Sequence, residues 1–226
     1  MKRVLTIVAH PDDEVIGVGG TLRKHVRRGD DVYVLILGDG KTSRTATTRI
    51  QKEQINLSRK ETKKALSIIG VRNYVRLDLP DNRFDSIPLL EIVKKVSKIV
   101  TKIHPHTVFT HHHGDLNIDH RKTFEATITA CRPIETFVEK ILLFETLSST
   151  EMAGPGVKEA FLPNYFINIH RELDKKLAAM AAYESELKTF PHPRSLETIR
   201  NNALVWGSKV NTTAAEAFTL FRYIEK

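Results

Sequence analysis

A chain of 226 residues with 41% apolar side chains can bury one sizeable core, and its single cysteine excludes an internal disulfide. The 35 Lys+Arg against 27 Asp+Glu give a formal charge of +8, which favours anionic partners at long range. These charges fall singly within helical patterns, such as Arg23, Lys24, Arg27 and Arg28 or Lys94, Lys95 and Lys98. No basic arm, aromatic-interleaved strand or zinc-finger spacing accompanies them, so nucleic acid is not an expected partner.

The chain opens with Arg3 to Ala9, an apolar and β-branched run without polar alternation, as expected of a parallel strand covered on both faces. It is too short to cross a bilayer or to serve as a signal peptide, and His10-Pro11-Asp12-Asp13 interrupts it, so a cytoplasmic protein without membrane insertion is expected. Val15, Ile16, Val18, Leu22 and Val26 then recur at helical spacing until Gly29-Asp30, and Val32 to Leu37 is a second buried strand. Gly38 to about Thr48 is a threonine-rich loop near function. A long helix runs through Ile55, Leu57, Ala65, Leu66 and Ile69 to Gly70, followed by a strand over Asn73 to Leu77 and a turn at Pro80-Asp81-Asn82. A helix from Pro88 to Lys102 precedes a strand from His106 to Thr110, which empties into His111 to His120. A helix over Arg121 to Ala130 and a strand over Ile141 to Phe144 follow. Beyond these come a loop at Gly154-Pro155-Gly156, an edge strand over Tyr165 to Ile169, a helix from Arg171 to Leu187, a break at Pro191-His192-Pro193, and a helix capped by Ser195 that reaches Trp206-Gly207. Strand and helix alternate without internal repeat. The expectation is an α/β protein with a mostly parallel, doubly wound sheet in one domain spanning residues 1–226.

Chemistry concentrates at two strand ends, the edge of an open α/β sheet where ligands collect. His10-Pro11-Asp12-Asp13-Glu14 sets three carboxylates after a histidine, and crowded carboxylates need positive charge beside them. A divalent metal supplies it, with His10 and Asp13 as ligands and Asp12 free to act as general base on a water. Glu14 opens the helix, where a negative side chain is favoured. The alternative is an acidic helix cap beside a satisfied histidine. His120 completes a two-histidine, one-carboxylate set that leaves positions open, as catalytic Zn2+ does; Fe2+ is also compatible. Asp119 is placed to orient a ring nitrogen or to tune a proton carrier. Of His111, His112 and His113, the last, beside Gly114, is the one expected to reach a reacting carbonyl, the other two bonding within the loop. His192 and Arg194, on a stiff two-proline segment, either wall a sugar or acyl pocket or form a structural turn. Cys131, Trp206 and Phe218 read as packing residues. Gly17-Val18-Gly19-Gly20 lacks dinucleotide-loop spacing, and neither a GxxxxGK[ST] loop nor a GxSxG elbow is present, which argues against a nucleotide-dependent oxidoreductase and against serine acyl transfer.

His10-Pro11-Asp12-Asp13-Glu14 after the first strand, together with Asn117-Ile118-Asp119-His120 after a later one, resembles the LmbE-like, or PIG-L, zinc-dependent N-acetylglucosamine deacetylases. Arg59 and Glu61, Pro80-Asp81-Asn82, Pro193-Arg194-Ser195 and Ala215-Glu216-Ala217-Phe218 extend the likeness over nearly the whole chain. The resemblance implies a Rossmann-like three-layer sandwich without a dinucleotide, zinc on His10, Asp13 and His120, Asp12 as general base, and N-acetylated sugars or their conjugates as substrates. It also implies a substrate-binding arginine on the second helix, most nearly Arg59. One departure stands out: His-x-Asp-His of the better-known branches is Asn117-Ile118-Asp119-His120 here, so the oxyanion donor falls to Asn117 or His113. The alternatives are hydrolysis of another small N-acyl amide or ester and a non-catalytic, metal-containing sugar-binding module. Phe161, Leu162 and Phe166 offer apolar surface that would cover the active site or a second copy in a homo-oligomer.

Overall fold

The computed structural model describes residues 1–43, 48–134, 137–154 and 160–225. Part of the threonine-rich loop, and Pro155 and Gly156 of the expected glycine-proline loop, lie outside these residues.

The strands are β1 (Arg3–Val8), β2 (Asp31–Gly38), β3 (Asn73–Leu79), β4 (Thr107–His111), β5 (Lys140–Phe144), β6 (Tyr165–Asn168) and β7 (Ala215–Tyr223). The helices are α1 (Asp13–Arg27), α2 (Thr48–Ile69), α3 (Leu89–Ile103), α4 (Ile118–Ala130), α5 (Leu173–Ala181) and α6 (Leu196–Ser208). One sheet runs β3-β2-β1-β4-β5-β7-β6; its first five strands are parallel, and β7 is antiparallel to both neighbours. This is the expected mixed, mostly parallel α/β sandwich. Side-chain alternation splits the core into two layers. Val4 and Val8 of β1 join Val15, Leu22, Leu66, Leu177 and Ile199 of α1, α2, α5 and α6. Leu5 and Ile7 join Ile92, Val96 and Ala126 of α3 and α4 on the opposite face.

The chain winds outward from β1 through β2 to β3, then returns to place β4 on the other side of β1. The connections therefore diverge between β1 and β4, and their carboxyl ends border a crevice. Both histidine-bearing segments open there. Among the described residues no helix is long and apolar enough to cross a membrane.

Three elements differ from the sequence expectation. The helix expected to reach Leu187 ends at Ala181. Four residues beyond that end, Glu61 of α2 captures both the amide and the hydroxyl of Ser185, at 2.8 and 2.7 Å, and holds the chain in a turn. α4 starts at Ile118 rather than Arg121, because the Asn117 side chain caps it by accepting the Asp119 amide at 2.8 Å. β7 was not foreseen as a strand. It lies between β5 and β6 and braces α1: Glu216 accepts the amides of Gly20 and Thr21, while Lys176 donates to the Ile16 carbonyl and to Glu216. A charged pair thus replaces part of the α1 hydrogen-bond ladder. Ser195 caps α6 as expected, accepting the Thr198 amide at 3.1 Å.

Candidate metal centre

The turn from β1 into α1 presents His10, Asp12 and Asp13, and α4 brings His120 across from the other side of the crevice; all four are buried. Ligand atoms of His10, Asp13 and His120 lie within 4.8 Å of one another. His10 Nδ1 is 3.7 Å and His120 Nε2 3.4 Å from Asp13 Oδ2. Among the described residues, Asp13 Oδ1 and both ring nitrogens of His120 are buried without a hydrogen-bond partner. Orphaned buried polar atoms are costly, and a cation among them removes that cost, so the donor set fits a divalent metal.

The outer ring nitrogens face carboxylates. His10 Nε2 lies 2.9 Å from Asp119 Oδ2 and 3.2 Å from Asp81 Oδ1, and His120 Nδ1 lies 3.1 Å from Asp115 Oδ1. A carboxylate stands behind each imidazole, as behind metal-binding histidines: Asp119 is hydrogen-bonded to His10 and fixes its tautomer, while Asp115 stands at ion-pair distance from His120 Nδ1. Asp119 is itself gripped by the amides of Asn82 at 2.7 Å and Phe84 at 2.9 Å. Asp115 accepts from the Asn117 amide at 2.8 Å and from the hydroxyls of Ser149 and Thr150.

The cage attracts positive charge. Burial disfavours a charged His10, but Asp119, Asp81 and Asp13 outweigh it and push its pKa up to about 10. Burial likewise opposes protonation of His120, and Asp13 and Asp115 outweigh it, raising the value to about 9. A divalent ion competes with these protons for the same nitrogens. Against burial, the neighbouring His120, aided by His10, holds Asp13 well below the usual carboxylate range. Asp12 behaves oppositely: burial pushes its carboxyl up, Arg194 pulls it back, and Asp13, Glu186 and Glu14 push it up again.

His111 forms one wall. Its ring stacks on that of His120 with centroids 4.0 Å apart, its Nε2 accepts the Ala9 amide at 2.9 Å, and its Nδ1 lies 3.0 Å from the Thr146 hydroxyl. An Nε2 that accepts leaves the proton on Nδ1, and burial beside His120 pushes its pKa down to about 3. It is a neutral, fixed ring that joins β4 to β1 and to the segment after β5, rather than a loop histidine.

The cleft over this cage is lined by His10, Asp12, Lys41, Ser58, Asp81, Asn82, Asn117, Glu186 and Arg194, with Pro11 and Gly40. Arg194 Nη1 stands 3.5 Å from Asp12 Oδ2 and 3.2 Å from Glu186 Oε2, and its Nε donates to Ser148. Asn117 lines the cleft with its Oδ1 committed to the Asp119 amide.

Not every residue singled out in the sequence reaches this place. His113 is exposed and packs beside His112 and Phe124, outside the lining. Arg59 extends to Asp78, while its neighbour Ser58 borders the cleft. His192 is exposed and supports the cleft indirectly, its Nδ1 accepting the Arg194 amide at 3.0 Å. Sequence reasoning missed Asp115, Lys41, Ser58 and Glu186 as site residues. Asp115 sat inside a segment already singled out. Lys41 and Glu186 are 145 positions apart and carry no local signal of their pairing.

The comparisons with known proteins follow the same lines. A family model described as PIG-L, GlcNAc-PI de-N-acetylase, matches residues 5–131, more than half of the chain. Diacetylchitobiose deacetylase of Thermococcus kodakarensis is 28% identical over 192 residues, covering 82% of this chain and 70% of its own. N,N'-diacetylchitobiose deacetylase from Pyrococcus horikoshii, solved with an inhibitor, has a TM-score of 0.78 at 25% identity over 98% of this chain and 84% of that one. GalB, the 4-carboxy-2-hydroxymuconate hydratase of Pseudomonas putida KT2440, has a TM-score of 0.80 at 21% identity over 100% of this chain and 99% of that one. That last likeness concerns the fold alone, and a fold carries more than one chemistry. With the family match spanning both halves of the cage, from the turn after β1 to the start of α4, the chain belongs to the PIG-L family.

Proposed function

We propose that the protein is a zinc-dependent hydrolase that removes the acetyl group from an N-acetylated sugar or sugar conjugate, releasing acetate and a free amine. The observation that carries this reading is the buried His10, Asp13 and His120 set, whose ligand atoms lie within 4.8 Å of one another beside Asp12. His10, Asp13 and His120 would hold the ion, with Asp119 and Asp115 behind the two imidazoles. A divalent ion bound there supplies Lewis acidity, polarising an amide carbonyl and making water acidic enough to ionise near neutral pH.

Asp12 takes the proton of the attacking water, since its Oδ2 has no hydrogen-bond partner among the described residues and the residue lines the cleft. Burial and the repulsion of Asp13, Glu186 and Glu14 raise the proton affinity of that carboxylate, as a base requires, and Arg194 opposes them by favouring its charged form. The amide group of Asn117, whose oxygen is tied to the helix cap, is the donor for the developing oxyanion. Asp12 then returns its proton to the departing nitrogen as the carbon–nitrogen bond breaks. Asp81, Asn82, Asn117 and Arg194 give the cleft the alternating donors and acceptors that sugar hydroxyls require.

The test is amine release from a panel of free, oligomeric and lipid-linked N-acetyl sugars beside N-acyl amino acids, before and after chelation. Release from the sugars, abolished by chelator and restored by Zn2+, is expected. Asp12→Asn should keep its metal while kcat falls by about 10²-fold or more. Turnover confined to N-acyl amino acids, insensitivity to chelation, or near-normal Asp12→Asn activity would each refute the reading.

A further inference from the structure

Asp12 occupies a backbone conformation that an aspartate resists. Its φ of 102° and ψ of −30° lie where a Cβ crowds the main chain, and such a residue persists only where its surroundings over-determine it. One side of the restraint is α1, since the Asp12 carbonyl accepts the amides of Val15 and Ile16, both at 2.9 Å. The other side is Glu14. Its Oε2 accepts the Asp12 amide at 3.1 Å, and its Oε1 accepts the Tyr183 hydroxyl at 2.6 Å. Glu14 and Tyr183 are both fully buried, so no solvent stands in for either contact.

A helix-opening glutamate exposed to water would satisfy the helix dipole as well, without the cost of burying a carboxylate. The burial needs another reason, and Asp12 provides it. A carboxylate oxygen with no hydrogen bond of its own takes its aim from the backbone that carries it, and Asp12 Oδ2 is such an atom. Arg194, at 3.5 Å, attracts it without fixing its direction. The peptide before Asp12 is thus the part whose placement decides where the oxygen points, and Glu14 is the side chain that holds it.

We propose that Glu14, propped by Tyr183 from the segment after α5, is a positioning residue for the hydrolysis, locking the strained Asp12 peptide so that the free Asp12 oxygen faces the cleft. Both Glu14 oxygens are engaged with protein donors, and the residue lies outside the cleft lining and outside the ligand set. It touches neither substrate nor ion. The inference rests on the hydrolytic reading for what Asp12 does, and on geometry alone for how Asp12 is held.

Three variants separate the roles. Glu14→Leu removes both contacts while keeping bulk. Glu14→Gln keeps them in another form, its oxygen accepting the Asp12 amide and its NH2 donating to the Tyr183 oxygen. Tyr183→Phe removes only the prop. With N-acetyl sugar as substrate, kcat of Glu14→Leu should fall by about 10- to 100-fold with KM and metal stoichiometry nearly unchanged, the effect of a misplaced catalytic group. Glu14→Gln should stay within about threefold of the parent, and Tyr183→Phe should fall between the two. Unchanged kcat in Glu14→Leu, or Glu14→Gln as damaged as Glu14→Leu, would overturn the proposal.

A melting cycle supplies a readout independent of turnover. Glycine accepts a φ of 102° freely, so Tyr183→Phe, which removes the prop, should lower Tm less in an Asp12→Gly background than in the parent chain. Equal losses in both backgrounds would overturn the proposal even if Glu14→Leu did not fold. If the parent protein released no amine from any N-acetyl sugar, the hydrolytic reading alone would fail, and the melting cycle would still decide how Asp12 is held.

Discussion

Two pairs of buried carboxylates border the cage, and the chain treats them differently. The outer pair, Asp115 and Asp119 around the start of α4, is saturated: backbone amides of Asn82, Phe84 and Asn117 and the hydroxyls of Ser149 and Thr150 converge on it. The inner pair, Asp12 and Asp13 at the start of α1, keeps one oxygen each, Asp12 Oδ2 and Asp13 Oδ1, that no hydrogen-bond donor among the described residues meets, while Asp13 Oδ2 accepts the His10 amide. An unmet buried polar atom costs about 1–3 kcal/mol, and more when charged, so a fold that keeps two of them side by side has left them to a group from outside. The outer pair spends its acceptors on orientation, and the inner pair keeps one acceptor on each residue for chemistry.

Removing a ligand tests this division most severely. His120→Ala takes away one of the two inner nitrogens while leaving the outer carboxylates tied to their amides. Metal should be absent at ordinary buffer concentrations and amine release should fall to background, as read by elemental analysis and the release assay. Full stoichiometric metal with unchanged affinity would mean that His120 is scaffold, and the inner and outer groups would no longer differ in kind.

Replacing an outer carboxylate should do less. An asparagine at Asp119 offers one oxygen where Asn82, Phe84 and His10 now share two, so one of these contacts must face an amide NH2. His10 keeps its place but loses the partner that fixes its tautomer. Asp119→Asn should weaken metal binding by about 10- to 100-fold, measured by competition with a chromophoric chelator, with the ion still bound at saturation. Unchanged affinity would reduce Asp119 to a loop staple.

The inner pair was legible in the sequence because it is local. His10 to Glu14 is one contiguous string at the end of an apolar strand, and strand ends are where an α/β sheet gathers ligands. The parallel strands were legible for a related reason, since burial on both faces leaves an apolar run that needs no partner to be recognised. What escaped was built from distant pairings. Tyr183 meets Glu14 across 169 positions, and Glu216 meets Gly20 across 196. The truncation of α5 follows from Glu61, which no helical periodicity near Leu187 could reveal. β7 carries Ala217-Phe218-Thr219-Leu220-Phe221 between Glu216 and Arg222, an apolar run that was within reach of the same reading. The earlier start of α4 was within reach, because an asparagine followed by an acidic residue is an ordinary helix-opening signature.

The mildest test concerns the floor beneath the inner pair. A Cβ on Gly17 of α1 would overlap the ring of Phe144, which is fully buried in β5 and paired with both His111 and Phe218. Two effects oppose each other in Gly17→Ala. Helix propensity favours alanine by about 1 kcal/mol, and overpacking a filled core costs about 1–3 kcal/mol. The ring has little room to retreat, because its centroid already stands 4.9 Å from that of His111, so the steric term should win. A net loss near 1 kcal/mol lowers Tm by about 2–4 °C in a chain of this size. Since His111 accepts the Ala9 amide and stacks on His120, pressure on Phe144 also reaches the ligands, and metal affinity should fall, though by less than in Asp119→Asn. A rise in Tm with unchanged affinity would show that α1 tolerates a side chain there, and that the inner carboxylates owe their placement to the turn after β1 alone.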